Sequence, residues 1–315
     1  MTGNLVMGSV HSSVLSCLLI PFSIYSFTSL LRWFIPGPQH LPRFDFKNKT
    51  VLITGASTGL GRAFAISLYR KGAKLILTAR SVEKLKELCG ELIASGEGLH
   101  EPIYRYLDLA EPSGISELPS LSLDGQTIHV LINNAGLSMR GSVEETDVSV
   151  HRTLFEVNYF GHVAVTRELL GSIPDDGMII VTISMQGKLP LPFRSAYSAS
   201  KHALQAFFDC LRSEHRPNLH ILVVSAGYLN TGFGRKALDV TGKPVGKEDV
   251  NQARGLSPEA ASSIILEAAE KRQLELILAP LSHRIAIFIR WLWPTLYFYL
   301  MYRRGVKDEL MRKQQ

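Results

Sequence analysis

Short uncharged runs and amphipathic stretches alternate through the middle of the chain. Lys49–Thr54 (KTVLIT) reads as a buried strand, Gly55–Gly61 as a glycine turn, Arg62–Lys71 as a helix stopped by Gly72, and Lys74–Thr78 (KLILT) as the next strand. Further strands are predicted at Ile103–Tyr106, Val130–Asn133, Met178–Ile183 and Ile221–Val224, with helices near Val82–Ala94, Val150–Leu170, Ala196–Arg212 and Pro258–Lys271. This alternation predicts an α/β fold, one doubly wound parallel sheet with helices on both faces. Residues 232–255, rich in Gly, Lys and Asp without periodicity, are expected to form a mobile loop.

The apolar excess lies at the two ends. No residue from Met1 to Leu31 is charged, and Ser13–Leu31 is an uncharged run of 19. At ~1.5 Å per residue, a helix over that run covers most of a ~30 Å hydrocarbon core. Arg32, Trp33, Arg43, Lys47 and Lys49 follow as a basic, aromatic flank, so an uncleaved transmembrane helix is expected; a cleaved signal peptide and a buried helix are the alternatives. Positive charge on the C-terminal flank places the following domain in the cytosol. Ile285–Tyr302 is apolar too, but Arg290 interrupts it and Pro294 breaks it. Its aromatics (Trp291, Trp293, Tyr297, Phe298, Tyr299, Tyr302) suit a helix–break–helix in the membrane interface, or a helix packed on the core or on a second copy in a homodimer. The basic end from Arg312 resembles a cytosolic retrieval tail, so a single-pass protein of the endoplasmic reticulum membrane is expected. The expected division is 1–45 anchor and linker, 46–275 the catalytic α/β domain, and 276–315 an apolar, basic extension.

Composition changes this picture in two places. With 46% hydrophobic and 20% charged residues the chain is not disordered, and Cys17, Cys89 and Cys210 form no CxxC pair, so neither a disulfide framework nor a metal set is expected. The net charge of +6 raises nucleic acid as a partner. No basic helix or aromatic–basic stripe supports that, and the basic residues gather beside the apolar ends, so membrane lipid is the expected partner.

The candidate chemistry sits where strands end. Thr54–Gly61 follows a strand and opens a helix, the setting in which glycines let backbone approach a pyrophosphate. About 20 positions on, where an acid reads NAD and an arginine NADP, stands Arg80, which favours NADP(H) and leaves NAD(H) open. Tyr197 and Lys201, at i and i+4, share one helix face, where an adjacent cation favours the phenolate and lets the pair exchange a proton near neutral pH. Ser184, thirteen positions before Tyr197 and at the end of a strand, places a hydroxyl able to hold a carbonyl oxygen.

With these motifs on the page, the chain resembles the short-chain dehydrogenase/reductase family over roughly Phe46–Lys271. Thr54–Gly61 (TGxxxGxG), Asp108-Leu109, Asn133–Gly136 (NNAG), Asn158, Ser184 and Tyr197/Lys201 stand in family order and spacing, and a single Rossmann domain is implied. The resemblance implies cofactor contacts from Gly55, Ser57, Thr58, Gly59, Leu60, Gly61, Arg80, Asp108, Leu109, Asn134, Ala135, Gly136, Tyr197, Lys201 and Thr231. It implies Tyr197 as general acid/base, Ser184 as donor to the substrate carbonyl, Asn158 as holder of a relay water, and Lys201 as ribose ligand and depressor of the tyrosine pKa. Ala226-Gly227 replaces the family's Pro-Gly. Phe193–Tyr197 and Ser200–Ala203 further resemble the membrane-anchored member 7B subgroup. That implies an oxidoreductase of hydrophobic, lipid-like ketones or secondary alcohols; the alternative is a non-catalytic NADP(H)-binding or scaffolding protein on the same fold.

Overall fold

The computed structural model describes residues 40–313 except 117, 119–126, 215, 217 and 248, together with residues 19, 22–31 and 34–35. Two compact units divide the chain between Pro42 and Arg43. In the first, residues 22–31 are helical. Of the expected span over Ser13–Leu31, residues 13–18, 20 and 21 lie outside the described residues; among those described, no helix is long and apolar enough to cross a membrane.

The second unit is built on seven strands: β1 (Thr50–Thr54), β2 (Lys74–Ala79), β3 (Ile103–Tyr106), β4 (Val130–Asn133), β5 (Met178–Thr182), β6 (His220–Ala226) and β7 (Glu275–Leu278). All pair in parallel in the order β3-β2-β1-β4-β5-β6-β7. Every residue of β1, β4 and β6 is buried, because helices cover both faces of a parallel sheet and leave no polar side to the strand. Alternate residues feed two cores. Val51, Ile53, Val130, Ile132, Leu222 and Val224 join Phe64, Leu68 and Ile265 from helices Gly59–Arg70 and Pro258–Glu270. Leu52, Leu131, Ile221 and Val223 point the other way, onto Val165, Leu169, Leu204 and Phe208 from helices Gly161–Leu170 and Ser195–Leu211.

Three segments depart from the periodicity. The helix expected over Val150–Leu170 starts at Val148, and between Phe155 and Gly161 it widens into a π turn, Glu156–Phe160. β7 was not expected. It is a four-residue edge strand, mostly half-buried, too short to register as a pattern, and it runs across residue 275, where the apolar pattern places the start of the extension. The segment expected to be a mobile loop is tied to the body: it carries the 3-10 turn Phe233–Lys236 and the helix Val250–Ala253, and Leu238 bridges both Met139 and Pro244. The tie from Leu238 to Met139 spans about a hundred residues, which local periodicity does not register.

Phe64 is fully buried between the helix that follows β1 and the sheet. Truncation to Phe64→Ala is expected to cost about 3–5 kcal/mol, read as a lowered urea midpoint at unchanged slope.

Candidate active site

Strand order reverses between β1 and β4, so the loops after these strands diverge and leave a crevice at their C-terminal ends. Thr54 closes its floor. Its hydroxyl donates to Ile132 O (3.3 Å) and accepts from the backbone N–H groups of Asn134 (3.0 Å) and Ala135 (3.2 Å), while Asn134 Nδ2 donates to Thr54 O (3.1 Å). Above it the chain turns through Gly55 and Gly59, both at positive φ (+69° and +56°), where a side chain would be strained. Gly61 has a different reason to be glycine: a Cβ there would stand 2.2 Å from Gly55 O. The turn delivers helix Gly59–Arg70, whose N-cap Thr58 makes no side-chain capping bond, so its leading N–H groups face the crevice without a capping side chain.

Cations collect beside that turn. Arg80, at the end of β2, is two-thirds exposed and lies 3.9 Å from Asp108 Oδ2. The β2 end thus has an acidic neighbour after all, brought by the loop after β3 and invisible in the local sequence. Lys236 Nζ donates to Thr58 Oγ1 (3.3 Å), and burial, together with repulsion from Lys84 and Arg80, lowers its pKa. A phosphate beside Arg80, Lys84 and Lys236 would relieve that repulsion, so this end of the crevice fits the 2′-phosphate of NADP. The glycine turn and the leading N–H groups of its helix likewise suit a pyrophosphate.

At the other end, helix Ser195–Leu211 presents Tyr197 and Lys201 on one face, both buried. Ser184 caps the 3-10 turn Met185–Gly187, its Oγ accepting from Gln186 N (3.1 Å), and its hydroxyl acts on the Tyr197 phenol. Burial pushes the Tyr197 pKa up, while the Ser184 hydroxyl and the guanidiniums of Arg140 and Arg194 pull against that rise. The Lys201 ammonium donates to Thr182 O (3.0 Å), and burial lowers its pKa to about 8. The two arginines that favour the phenolate are not revealed by i,i+4 spacing. Both grip one carboxylate on the loop, Asp249 Oδ2, at 3.3 Å from Arg140 and 2.9 Å from Arg194.

The π turn aims Asn158 inward. Its Oδ1 accepts from Leu137 N and its Nδ2 donates to Leu137 O, both at 2.8 Å, and Nδ2 also donates to Ser200 Oγ (3.0 Å). One amide thus ties the wall after β4 to the catalytic helix. Four residues on, His162 is fully buried, with its ring nitrogens 3.0 Å from Asn133 Oδ1 and 2.8 Å from Ala135 O. Burial, reinforced by the charge of Lys201, lowers its pKa to about 3, so the ring is neutral and braces the same wall.

These elements enclose a cavity of about 580 Å³. Every residue assigned from the sequence to the cofactor or the chemistry lines it, except Gly61 and Asn158, which sit behind its wall. Arg140, Arg194 and Lys236 also line it and carry no sequence signal of their own. Its far side is roofed from helices Leu281–Leu292 and Pro294–Lys313 by His283, Ala286, Tyr297, Met301 and Arg304. Tyr297 Oη donates to Pro190 O (3.3 Å), and Arg304 donates to Tyr228 Oη (3.1 Å).

The sequence profile of a family described as short chain dehydrogenase matches residues 49–240. A Mus musculus protein named Dehydrogenase/reductase SDR family member 7B is 42% identical over 268 residues, covering 83% of this chain and 83% of that protein. The Xenopus tropicalis protein of the same name is 39% identical over 309 residues, covering 95% of this chain and 97% of that one. Among solved structures, an alcohol dehydrogenase from the archaeon Thermococcus sibiricus, complexed with 5-hydroxy-NADP, is 27% identical with a TM-score of 0.64, covering 74% of this chain and 96% of its own.

Lys201 sets a pH signature. Its folded pKa of about 8 lies below the ordinary 10.5, so the cost of burying its charge is present in full below pH 8 and fades as the native state releases the proton. Relative to Lys201→Met, the wild type is expected to gain up to about 3 kcal/mol in unfolding free energy between neutral pH and pH ~10.5. Urea midpoints of both proteins across that range measure it; a constant difference would contradict the buried ammonium.

Proposed function

The chain belongs to the short-chain dehydrogenase family, and from that premise we propose that it transfers a hydride between NADP(H) and the carbonyl or secondary alcohol of a hydrophobic, lipid-like substrate. The reading rests above all on the hydroxyls of Ser184 and Tyr197, which line one cavity with the glycine turn. When bound, the nicotinamide supplies or accepts the hydride. The Thr54–Gly61 turn and the first N–H groups of its helix hold the pyrophosphate, and Arg80 with Lys236 meets the 2′-phosphate. Asp108 and Leu109 flank the adenine, Asn134–Gly136 form the wall, Thr231 takes the carboxamide and Lys201 the ribose. NAD(H), lacking the phosphate, fits more weakly.

In the reductive direction, the Ser184 hydroxyl donates to the substrate's carbonyl oxygen. Accepting from Gln186 N leaves its proton available to donate. Tyr197 gives its proton to the same oxygen as the alcohol forms, and takes one back in the oxidative direction. A phenol held above its ordinary pKa keeps its proton at neutral pH, which suits it to act as the acid. Asn158 and His162 act through position: they fix the wall and the helix that set the distance between the reacting groups. The uncharged run before Arg32 and its basic flank support a single N-terminal anchor in the endoplasmic reticulum membrane, with the catalytic unit in the cytosol.

Tyr197→Phe is expected to lower kcat on an accepted ketone by about 10²–10⁴-fold while NADPH affinity stays nearly unchanged; wild-type turnover from this variant would refute the mechanism. Arg80→Ala is expected to weaken NADPH by about tenfold with little effect on NADH, measured by fluorescence titration, and equal losses for the two would remove the phosphate assignment.

A further inference from the structure

The two C-terminal helices use only part of their circumference to roof the cavity. Helix Leu281–Leu292 turns Ala286 and Ile287 inward, and helix Pro294–Lys313 turns Tyr297, Met301 and Arg304 inward. The opposite face of the first helix carries Leu281, Ile285, Phe288, Trp291 and Leu292 at spacings of three, four and seven, with Trp291 78% exposed. Trp293 at the break, and Phe298, Tyr299 and Tyr302 beyond it, are exposed as well. Isolated exposed apolar side chains are ordinary, but a continuous set of large ones marks a surface that something covers.

Charge on the same helices identifies the cover. From Leu281 to Lys313 there are seven basic and two acidic residues. Arg284 and Arg303 lie among the exposed apolar side chains, whereas Asp308 is turned to Arg304, 3.8 Å away. A second copy docked face to face would set these like charges against each other. A bilayer with anionic headgroups instead matches the basic side chains, and takes Trp and Tyr at its headgroup level and Phe, Ile and Leu below it. We propose that the outer face of this helix pair seats on an anionic lipid bilayer, so that the wall between the cavity and solvent is a wall between the cavity and lipid. A hydrophobic substrate then reaches Ser184 and Tyr197 by passing the Tyr297–Pro190 and Arg304–Tyr228 contacts, without crossing water. The seating stands on the surface alone; its effect on turnover rests on the proposed oxidoreductase function.

The full chain carries three tryptophans, and Trp33→Phe leaves only Trp291 and Trp293 as emitters. Reconstituted in phosphatidylcholine vesicles with roughly a third phosphatidylserine, this variant is expected to lose about half its emission when the acyl chains are brominated, and less when phosphatidylserine is left out. Adding Phe288→Glu and Leu292→Glu, both on the exposed face, is expected to abolish the quenching. On a vesicle-borne ketone the same pair is expected to lower kcat/KM about tenfold, while turnover of a short water-soluble ketone stays unchanged. Emission indifferent to brominated lipid, or a cross-link showing the face covered by a second copy, overturns the seating. Quenching without turnover of any ketone leaves the seating intact and refutes the catalytic reading instead.

Discussion

The structure depends on one seam, the parallel pairing of β1 with β4, locked at its C-terminal end by the buried hydroxyl of Thr54. That single oxygen accepts two backbone N–H groups and donates to a carbonyl, so the end of the seam leaves no unsatisfied polar group in a place with no water to repair it. Because strand order reverses here, the loops on either side part, and each wall of the crevice takes its position from this junction. Gly61 packs on Gly55 O from one side; Ala135, bonded to Thr54, packs on Gly55 from the other. A shift of an ångström at the seam would move the glycine cradle and the Asn134–Gly136 wall together.

Electrostatically the site is divided. At the glycine turn Arg80 and Lys84 repel the Lys236 ammonium, while Arg80 also lies beside Asp108. At the catalytic end Tyr197, Lys201 and His162 are all buried, and in each, loss of hydration is the largest influence on the proton. Desolvation drives the tyrosine up and the lysine and histidine down, so all three are drawn toward neutral forms near pH 7–8.

Much of the fold and the site was legible in the sequence because its signals are local. The runs KTVLIT and KLILT, the glycine turn and the i,i+4 pair Tyr197/Lys201 each lie within a few residues, and the structure places them at the crevice. What escaped is nonlocal. Lys236 reaches Thr58 from 178 positions away, and Arg140 and Arg194 meet through Asp249 in a segment with no periodicity. β7 escaped because four edge residues, three of them half-buried and one exposed, make too short a pattern. Spacing also identifies a neighbour on a helix but not the direction of its ammonium, which at Lys201 a backbone carbonyl, Thr182 O, decides.

The carboxylate of Asp249 is gripped by two arginines that also act on the Tyr197 proton, so loop and phenol draw on the same pair of cations. By thermodynamic reciprocity, whatever tightens the loop's hold on Arg140 and Arg194 alters the acidity of the tyrosine, and each gain or loss of that proton alters the hold by an equal free energy. The segment that carries Asp249 is therefore no passive cover but one arm of a balance whose other arm is a single phenolic proton.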